Sequence, residues 1–170
     1  MDKKKKKVIL VIGGDLRQTY LCNILAKKAR VYAIGCRKAE LSDDVILFDY
    51  IDEIPEQVDY MILPIPVTND GVNINIPFSD EKISLYSTIP FLKHNAVVFG
   101  GKIGTEGAIF TYKGFEVIDY LEREELSVMN AIPVVFLKVQ KNSRYNVTAV
   151  CILHLKGFLF SMSTLITVSL

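Results

Sequence analysis

The chain has 170 residues, of which 50% are hydrophobic and 23% are charged, and its formal net charge is +1. This length and composition fit one ordinary globular domain and exclude a wholly disordered chain. The near-neutral total excludes an overall basic surface, so we expect no nucleic-acid partner.

The charge is distributed unevenly along the chain. Five consecutive lysines form Lys3–Lys7, residues 8–133 hold 11 Lys and Arg against 18 Asp and Glu, and residues 134–170 hold four basic residues and no acidic one. We therefore divide the chain into a basic arm (1–7), an acidic α/β domain (8–133) and an apolar, basic tail (134–170). We interpret the arm as a solvated extension, with contact to nucleic acid or an anionic membrane as the alternative.

Apolar runs alternate with helical spacings through the acidic domain, which predicts a mostly parallel sheet covered on both faces. We expect a three-layer, doubly wound α/β fold of the Rossmann or flavodoxin-like type, in which ligands bind beyond the carboxyl ends of the strands. A polar excursion at 67–79, with Val72, Ile74 and Ile76 alternating, is predicted to form a small hairpin arm, and a helical turn is expected within 52–58. The predicted strands are Val8–Ile12, Arg30–Ile34, Val45–Phe48, Tyr60–Pro66, Ala96–Phe99 and Phe115–Asp119, and the predicted helices are Leu16–Ala29, Lys82–Lys93, Thr105–Tyr112 and Tyr120–Asn130.

The loop after the first strand contains Gly13 and Gly14 but does not fit the dinucleotide pattern GxGxxG, because positions 15 and 18 are Asp and Gln. One interpretation is structural: Asp15 caps the following helix and Gln18 completes a capping box. The other is functional: the loop amides and Arg17 hold a small polar ligand.

The glycine-rich segment Gly100–Gly104 fits neither GxGxxG nor the P-loop, and predicts a tight strand-to-helix turn in which Lys102 could hold an anion. Asp119 and Glu122 have the spacing of a capping box at the next predicted helix. The three cysteines and two histidines have no zinc-ligand or nucleophile spacing, so we predict no metal site and expect reduced thiols, as in the cytoplasm.

Three stretches that occur in order are more specific than any one alone: Gly13-Gly14-Asp15-Leu16-Arg17, Ile62–Thr68 and Glu122–Pro133. Over about residues 8–133 they resemble the family formed by the N-terminal domain of the dipicolinate synthase A subunit. The resemblance implies a sporulation enzyme of the mother-cell cytoplasm that oxidises a dihydrodipicolinate-type precursor with NAD(P). It also implies a partner, the B subunit of dipicolinate synthase.

The resemblance and the loop positions together suggest which residues bind a small dicarboxylate substrate. Arg17 and Arg123 would bind carboxylates, Thr68 would donate a hydrogen bond, and Asp15 or Glu122 would orient an arginine or handle a proton. No catalytic residue is assigned, and a homo-oligomer is left open. The full substrate-binding set is Gly13, Gly14, Asp15, Arg17, Pro66, Thr68, Glu122 and Arg123.

After Pro133 the family would continue with a short helix and a strand leading into GxGxxG, whereas residues 134–170 contain one glycine, Gly157. We hypothesise a frameshifted or truncated gene product, which alone would neither bind the cofactor nor turn over substrate. We do not expect a membrane anchor, because the longest uncharged run of the tail, Gly157–Leu170, has 14 residues and a spanning helix needs about 20. A β-rich, aggregation-prone tail is the third interpretation.

The alternative function is a non-catalytic α/β domain that binds the B subunit, another protein or a small ligand, through residues 67–79 or the tail. A receiver-like regulatory domain is a weaker alternative, in which Asp15 and Asp49 would mimic its acidic cluster and Lys102 would only loosely match its lysine.

The frameshift hypothesis predicts that DNA downstream of the Pro133 codon contains, in another frame, an intact segment encoding GxGxxG. Sequencing the locus checks this directly. A genuine stop codon with no such segment behind it in any frame would contradict the hypothesis.

Overall fold

The computed structural model describes residues 6–122 and divides the chain into two units, Met1–Asp119 and Tyr120–Leu170. In the second unit the described residues 120–122 form a turn. The remainder of the predicted helix Tyr120–Asn130 and the whole tail at 134–170 lie outside the described residues. The described part of the first unit contains the strands β1 (Val8–Ile12), β2 (Arg30–Ile34), β3 (Val45–Phe48), β4 (Val58–Ile62), β5 (Leu92–Gly100) and β6 (Glu116–Asp119) and the α-helices α1 (Leu16–Ala26) and α2 (Ala108–Tyr112).

The six strands form one sheet in the order β3-β2-β1-β4-β5-β6, and every neighbouring pair is parallel. The order reverses between β1 and β4, because the chain leaves β3 at one edge and returns on the other side of β1. This arrangement confirms the predicted doubly wound α/β fold. The reversal opens a crevice at the carboxyl ends of β1 and β4, where such sheets bind their ligands.

Strand β1 lies at the centre of the sheet, and all five of its residues are buried. Its sequence, Val-Ile-Leu-Val-Ile, is a continuous apolar run rich in β-branched residues, which suits a strand covered on both faces. Leu10 and Ile12 belong to one apolar cluster, while Leu21 and Leu25 of α1 are buried outside that cluster, on the other side of the sheet. The predicted three layers are therefore present.

The face opposite α1 is covered mainly by the long connection between β4 and β5. This connection, residues 63–91, contributes several of the buried apolar side chains of the cluster, and Phe110 of α2 joins them. The side chains from the connection are Leu63, Val67, Ile74, Ile76, Ile83 and Leu85.

The predicted helix Lys82–Lys93 is wrong over its first residues, and only Tyr86–Phe91 is helical, as a 3₁₀ helix. Ile83 and Leu85 are buried at a spacing of two, Ser84 pairs with Asn73 in an antiparallel bridge, and the N–H of Ile74 donates to the carbonyl of Ile83 at 2.8 Å. The start of the segment is thus extended, and the six-residue 3₁₀ helix Tyr86–Phe91, which contains Pro90, leads into β5. Alternation of apolar residues, together with the proline, outweighed the helical spacing.

Within the excursion the predicted hairpin is present as one isolated antiparallel bridge, Thr68–Ile74, and a second bridge, Asn73–Ser84, joins the excursion to the segment that follows it. It does not project as an arm, because Ile74 and Ile76 are buried in the core cluster. The helical turn expected within 52–58 is a 3₁₀ turn at Ile51–Glu53, just ahead of β4. Among the described residues no helix has the length and apolar character needed to cross a bilayer.

Asp59 connects three strands at the amino-terminal edge of the sheet. Its carboxylate accepts hydrogen bonds from the N–H of Val8 at 2.9 Å and from Lys93 Nζ at 2.8 Å, and lies 3.5 Å from Lys7 Nζ. Partial burial favours the neutral carboxyl, but the hydrogen bonds from Lys93 and Val8 outweigh it, so the pKa of Asp59 is lowered.

We expect Asp59→Asn to lower the free energy of unfolding at pH 7 by about 1–2 kcal/mol, because a charge-assisted acceptor is lost. A lowered native pKa makes the Asp59 contribution complete above the unfolded-state value of about 3.9 and removes it as the pH falls through the native value. Urea unfolding of both proteins between pH 7 and pH 2 should show the difference shrinking with acid. The exposed Asp44→Asn is the matched control, and a difference that does not shrink between pH 4 and pH 2 would contradict the assignment.

Candidate functional site

The turn after β1 is closed by the chain's own excursion. The N–H of Gly14 donates to the carbonyl of Asn75 at 3.0 Å, and the N–H of Asn75 donates to the carbonyl of Val67 at 2.9 Å. Gly13 and Gly14 both have positive φ, and a Cβ on Gly13 would stand 2.5 Å from the Asn75 carbonyl oxygen. These glycines are therefore needed where two backbone segments meet.

This contact decides what the first turn can hold. In a dinucleotide turn the backbone approaches a pyrophosphate, but here the Gly14 amide already donates to Asn75 and a carboxylate, Asp15, stands at the start of the helix. The turn therefore does not fit the pyrophosphate of a nicotinamide cofactor. Among the described residues no group of three or more His, Cys, Asp and Glu could hold a metal ion.

Asp15 and Gln18 form the predicted capping box at the start of α1. Asp15 Oδ1 accepts the N–H of Arg17 at 2.8 Å, and Gln18 Oε1 accepts the N–H of Asp15 at 3.3 Å. The structural interpretation of Asp15 is thus confirmed.

The same carboxylate also fixes Arg17. Arg17 Nε donates to both Asp15 oxygens at 2.9 Å, and Nη2 lies 2.8 Å from Oδ2. A cation in the first turn of a helix is unfavourable with the helix dipole, and the adjacent carboxylate offsets this. Asp15 therefore orients an arginine beside the crevice between β1 and β4.

The loop after β4 carries Pro66 and Thr68. The Ile65–Pro66 bond is cis. Thr68 Oγ1 accepts the N–H of Gly71 at 2.9 Å and donates to Asp70 Oδ1 at 3.0 Å, so its hydroxyl already stabilises the loop. Hydrogen bonds to Asp70 from the backbone and side chain of Asn73 hold the pKa of Asp70 well below its ordinary value, which keeps this carboxylate ionised.

The loop after β5 is the predicted strand-to-helix turn, and it leads through a 3₁₀ turn at Gly104–Gly107 into α2. Asp119, the last residue of β6, accepts the N–H of Ile103 at 2.9 Å and that of Lys102 at 3.3 Å. These two amides are where an anion would bind such a loop, and a carboxylate of the chain takes that position.

Two buried thiols lie between α1 and the loop after β2. Cys36 Sγ is 4.0 Å from the Gly13 carbonyl, and burial raises the pKa of the Cys22 thiol well above its ordinary value. A high pKa lowers the thiolate fraction, so Cys22 is a packing residue rather than a nucleophile.

The structure brings the first and fourth strand loops together and leaves part of the predicted set apart. Gly13 and Gly14 meet the loop of Pro66 and Thr68 through Asn75, and Arg17 is held beside them by Asp15. Glu122 is exposed in the second unit, and Arg123 lies outside the described residues. The roles of all these residues in binding substrate stay predictions.

Sequence reasoning missed Asn75, and it assigned Asp119 to a capping box with Glu122 rather than to the amides of Lys102 and Ile103. Asn75 acts through its backbone carbonyl, which no side-chain pattern can show. The sequence around Asp119 is ambiguous, because an acidic residue at the end of a strand can accept N–H groups from a neighbouring loop as well as from the first turn of the next helix.

Residues 8–121 match the family model described as the N-terminal domain of the dipicolinate synthase A subunit. The chain is 28% identical over 131 residues to the dipicolinate synthase A subunit from Bacillus subtilis (strain 168), and the match covers 75% of this chain and 44% of that protein.

Two solved structures share the fold. The dipicolinate synthase A chain from Bacillus subtilis has a TM-score of 0.70 at 25% identity and matches 84% of this chain and 50% of its own. The dipicolinate synthase A subunit from Bacillus halodurans has a TM-score of 0.71 at 24% identity and matches 84% of this chain and 51% of its own. The chain therefore spans about half the length of these relatives.

Gly13→Ala should reduce the free energy of unfolding by about 2–4 kcal/mol, because the new Cβ combines a left-handed backbone with a clash against the Asn75 carbonyl. Gly71→Ala is the matched control: Gly71 also has positive φ, but nothing lies within 4 Å of its Cβ position. Its expected loss is about 1 kcal/mol. Equal urea midpoints for the two variants would show that the Asn75 carbonyl does not exclude a Cβ at position 13.

Proposed function

The chain belongs to the family of dipicolinate synthase A-subunit N-terminal domains, and on that premise we propose that residues 8–133 form the substrate-side domain of such an enzyme. The whole enzyme would oxidise a dihydrodipicolinate-type precursor to dipicolinate during sporulation, in the cytoplasm, together with the B subunit. The part assigned to this domain is to bind and orient the carboxylates of the substrate.

The observation that carries this proposal is the fixed arginine beside the crevice. Arg17 is held by three contacts to Asp15 of 2.8–2.9 Å, at the carboxyl end of the central strand. A guanidinium presents planar donors that match a carboxylate, and fixing it beforehand reduces the entropy lost on binding. Asp15 is thus a positioning residue, and Arg17 is the proposed carboxylate-binding residue.

A nicotinamide cofactor would accept the hydride in the whole enzyme, but the first turn does not fit its pyrophosphate. The proposal therefore assigns the cofactor to the further domain that the family contains, and the present chain is expected neither to bind it nor to turn over alone.

A second candidate is a protein-interaction domain, and one surface favours it. Val72, Tyr86 and Tyr112 have exposed fractions of 56%, 70% and 88%. They line one cavity of about 670 Å³, which also includes Ile109. Exposed aromatic and aliphatic side chains that share a concave surface are typical of a contact with another protein.

Calorimetric titration of the full chain with pyridine-2,6-dicarboxylate should show saturable binding that Arg17→Ala weakens by about tenfold, the effect of one charge-assisted pair. Arg30→Ala, at the opposite edge of the sheet, is the control and should leave the affinity unchanged. NADPH should show no saturable binding at micromolar concentration.

Three results would count against these assignments. Micromolar NADPH binding would contradict the cofactor assignment, and an unchanged dicarboxylate affinity in Arg17→Ala would contradict the role of Arg17. If the chain binds no dicarboxylate but forms a stable complex with the B subunit, the interaction domain is favoured.

A further inference from the structure

We propose that the side-chain amide of Gln18 is a binding group of the crevice, where its Nε2 donates a hydrogen bond to a carboxylate oxygen of the ligand. This inference rests on the proposed function and deepens it, because it names a donor for the substrate in addition to Arg17.

The first observation is the burial of Gln18. Its exposed fraction is 1%, and the other buried polar side chains among the described residues are Thr19 and Thr88. Thr19 Oγ1 accepts the N–H of Arg37 at 3.3 Å. Thr88 Oγ1 donates to the carbonyl of Leu85 at 2.7 Å. Burying an amide is costly unless its polar atoms find partners, so the bonds that Gln18 makes and lacks indicate its role.

The second observation is that only one side of this amide is used. Gln18 Oε1 accepts the N–H of Asp15 at 3.3 Å in the capping box, which fixes the orientation of the amide. Nε2, on the other side, donates to no residue between 6 and 122. Ser42 Oγ is the one fully enclosed side-chain atom without a partner in that range, so Nε2 retains contact with the surface. A ligand can therefore reach this unused donor.

The third observation is the place of the Gln18 side chain. It folds back over Gly14, since a Cβ on Gly14 would stand 2.5 Å from Gln18 Cδ. Gly14 has positive φ and belongs to the turn after β1. The missing side chain at position 14 thus gives the amide its place at the carboxyl end of the central strand, beside the crevice where the strand order reverses.

A second unused donor lies at the same end of α1. Asp15 accepts the N–H of Arg17 through Oδ1 and the N–H of Gln18 through its carbonyl. The N–H of Leu16, the first residue of the helix, has no acceptor within residues 6–122. Both unused donors lie at the positive end of the helix dipole. Because the Asp15 carboxylate is paired with Arg17, this end of the helix suits a single carboxylate better than a multiply charged pyrophosphate.

The experiment measures the binding of pyridine-2,6-dicarboxylate to the full chain by calorimetry. Gln18→Glu keeps an oxygen for the capping box but replaces the Nε2 donor by a second acceptor, so the affinity should fall by more than about tenfold. Gln18→Met removes the donor without adding a charge and should weaken binding by about tenfold. Gln57→Glu is the matched control: it makes the same change at the opposite edge of the sheet, and the affinity should stay unchanged.

Urea unfolding of the same variants separates ligand binding from helix capping. Gln18→Met leaves the N–H of Asp15 without its acceptor, whereas Gln18→Glu retains that acceptor, so Gln18→Met should be the less stable of the two. The affinities should rank the other way, with Gln18→Glu the weaker binder, because a carboxylate at position 18 faces the carboxylate of the ligand. A role in capping alone predicts that affinity follows stability.

The outcomes also separate this inference from the proposed function. If Arg17→Ala weakens dicarboxylate binding and Gln18→Met does not, the inference about Gln18 is overturned and the proposed function stands. If the parent chain binds no dicarboxylate, the proposed function fails and the inference fails with it. A Gln18→Glu variant that binds more tightly than Gln18→Met would show that the amide serves only the helix cap, which overturns the inference.

Discussion

The close approach of Asn75 to the Gly13–Gly14 turn is the contact on which the carboxyl edge of this domain depends. One hydrogen bond of 3.0 Å joins the turn after β1 to the excursion after β4, and it forms only because Gly13 has no Cβ. The contact brings the loops of two neighbouring strands together at the crevice. It also uses the amide that a dinucleotide turn would offer to phosphate.

The same excursion forms much of one apolar layer, so binding edge and core are not separate structures. Ile74 and Ile76, on either side of Asn75, are buried in the cluster that covers β1. Asn75 is thereby held in place by its buried neighbours, in addition to its own side chain, whose Oδ1 accepts a hydrogen bond from Asn69 Nδ2 at 3.0 Å. A loop built in this way keeps its shape without a long helix, since apolar burial replaces the hydrogen-bond ladder that a helix would supply.

Much of the fold could be predicted from the sequence because its signals are local. The apolar run Val8–Ile12, the capping pair Asp15 and Gln18, and the strand Val45–Phe48 all occur as predicted. The helix predicted at Lys82–Lys93 is wrong over its first residues, because apolar residues occur there at both helical and strand spacing, and the bridge from Ser84 to Asn73 favours the extended form. The site was less predictable for a related reason: a backbone carbonyl at position 75 and a carboxylate at 119 act on loops that are distant in sequence.

The bridge at Asp59 lies at the amino-terminal edge of the sheet, one strand length from the loops that hold Arg17 and Lys102. A strand of five residues spans roughly 16 Å, beyond the range within which substitutions usually influence each other's energies. Changes made at the two edges should therefore combine additively. Substitutions that stabilise one end of this domain and substitutions that alter ligand selectivity at the other could be selected separately. The two sets could then be combined without further optimisation of either.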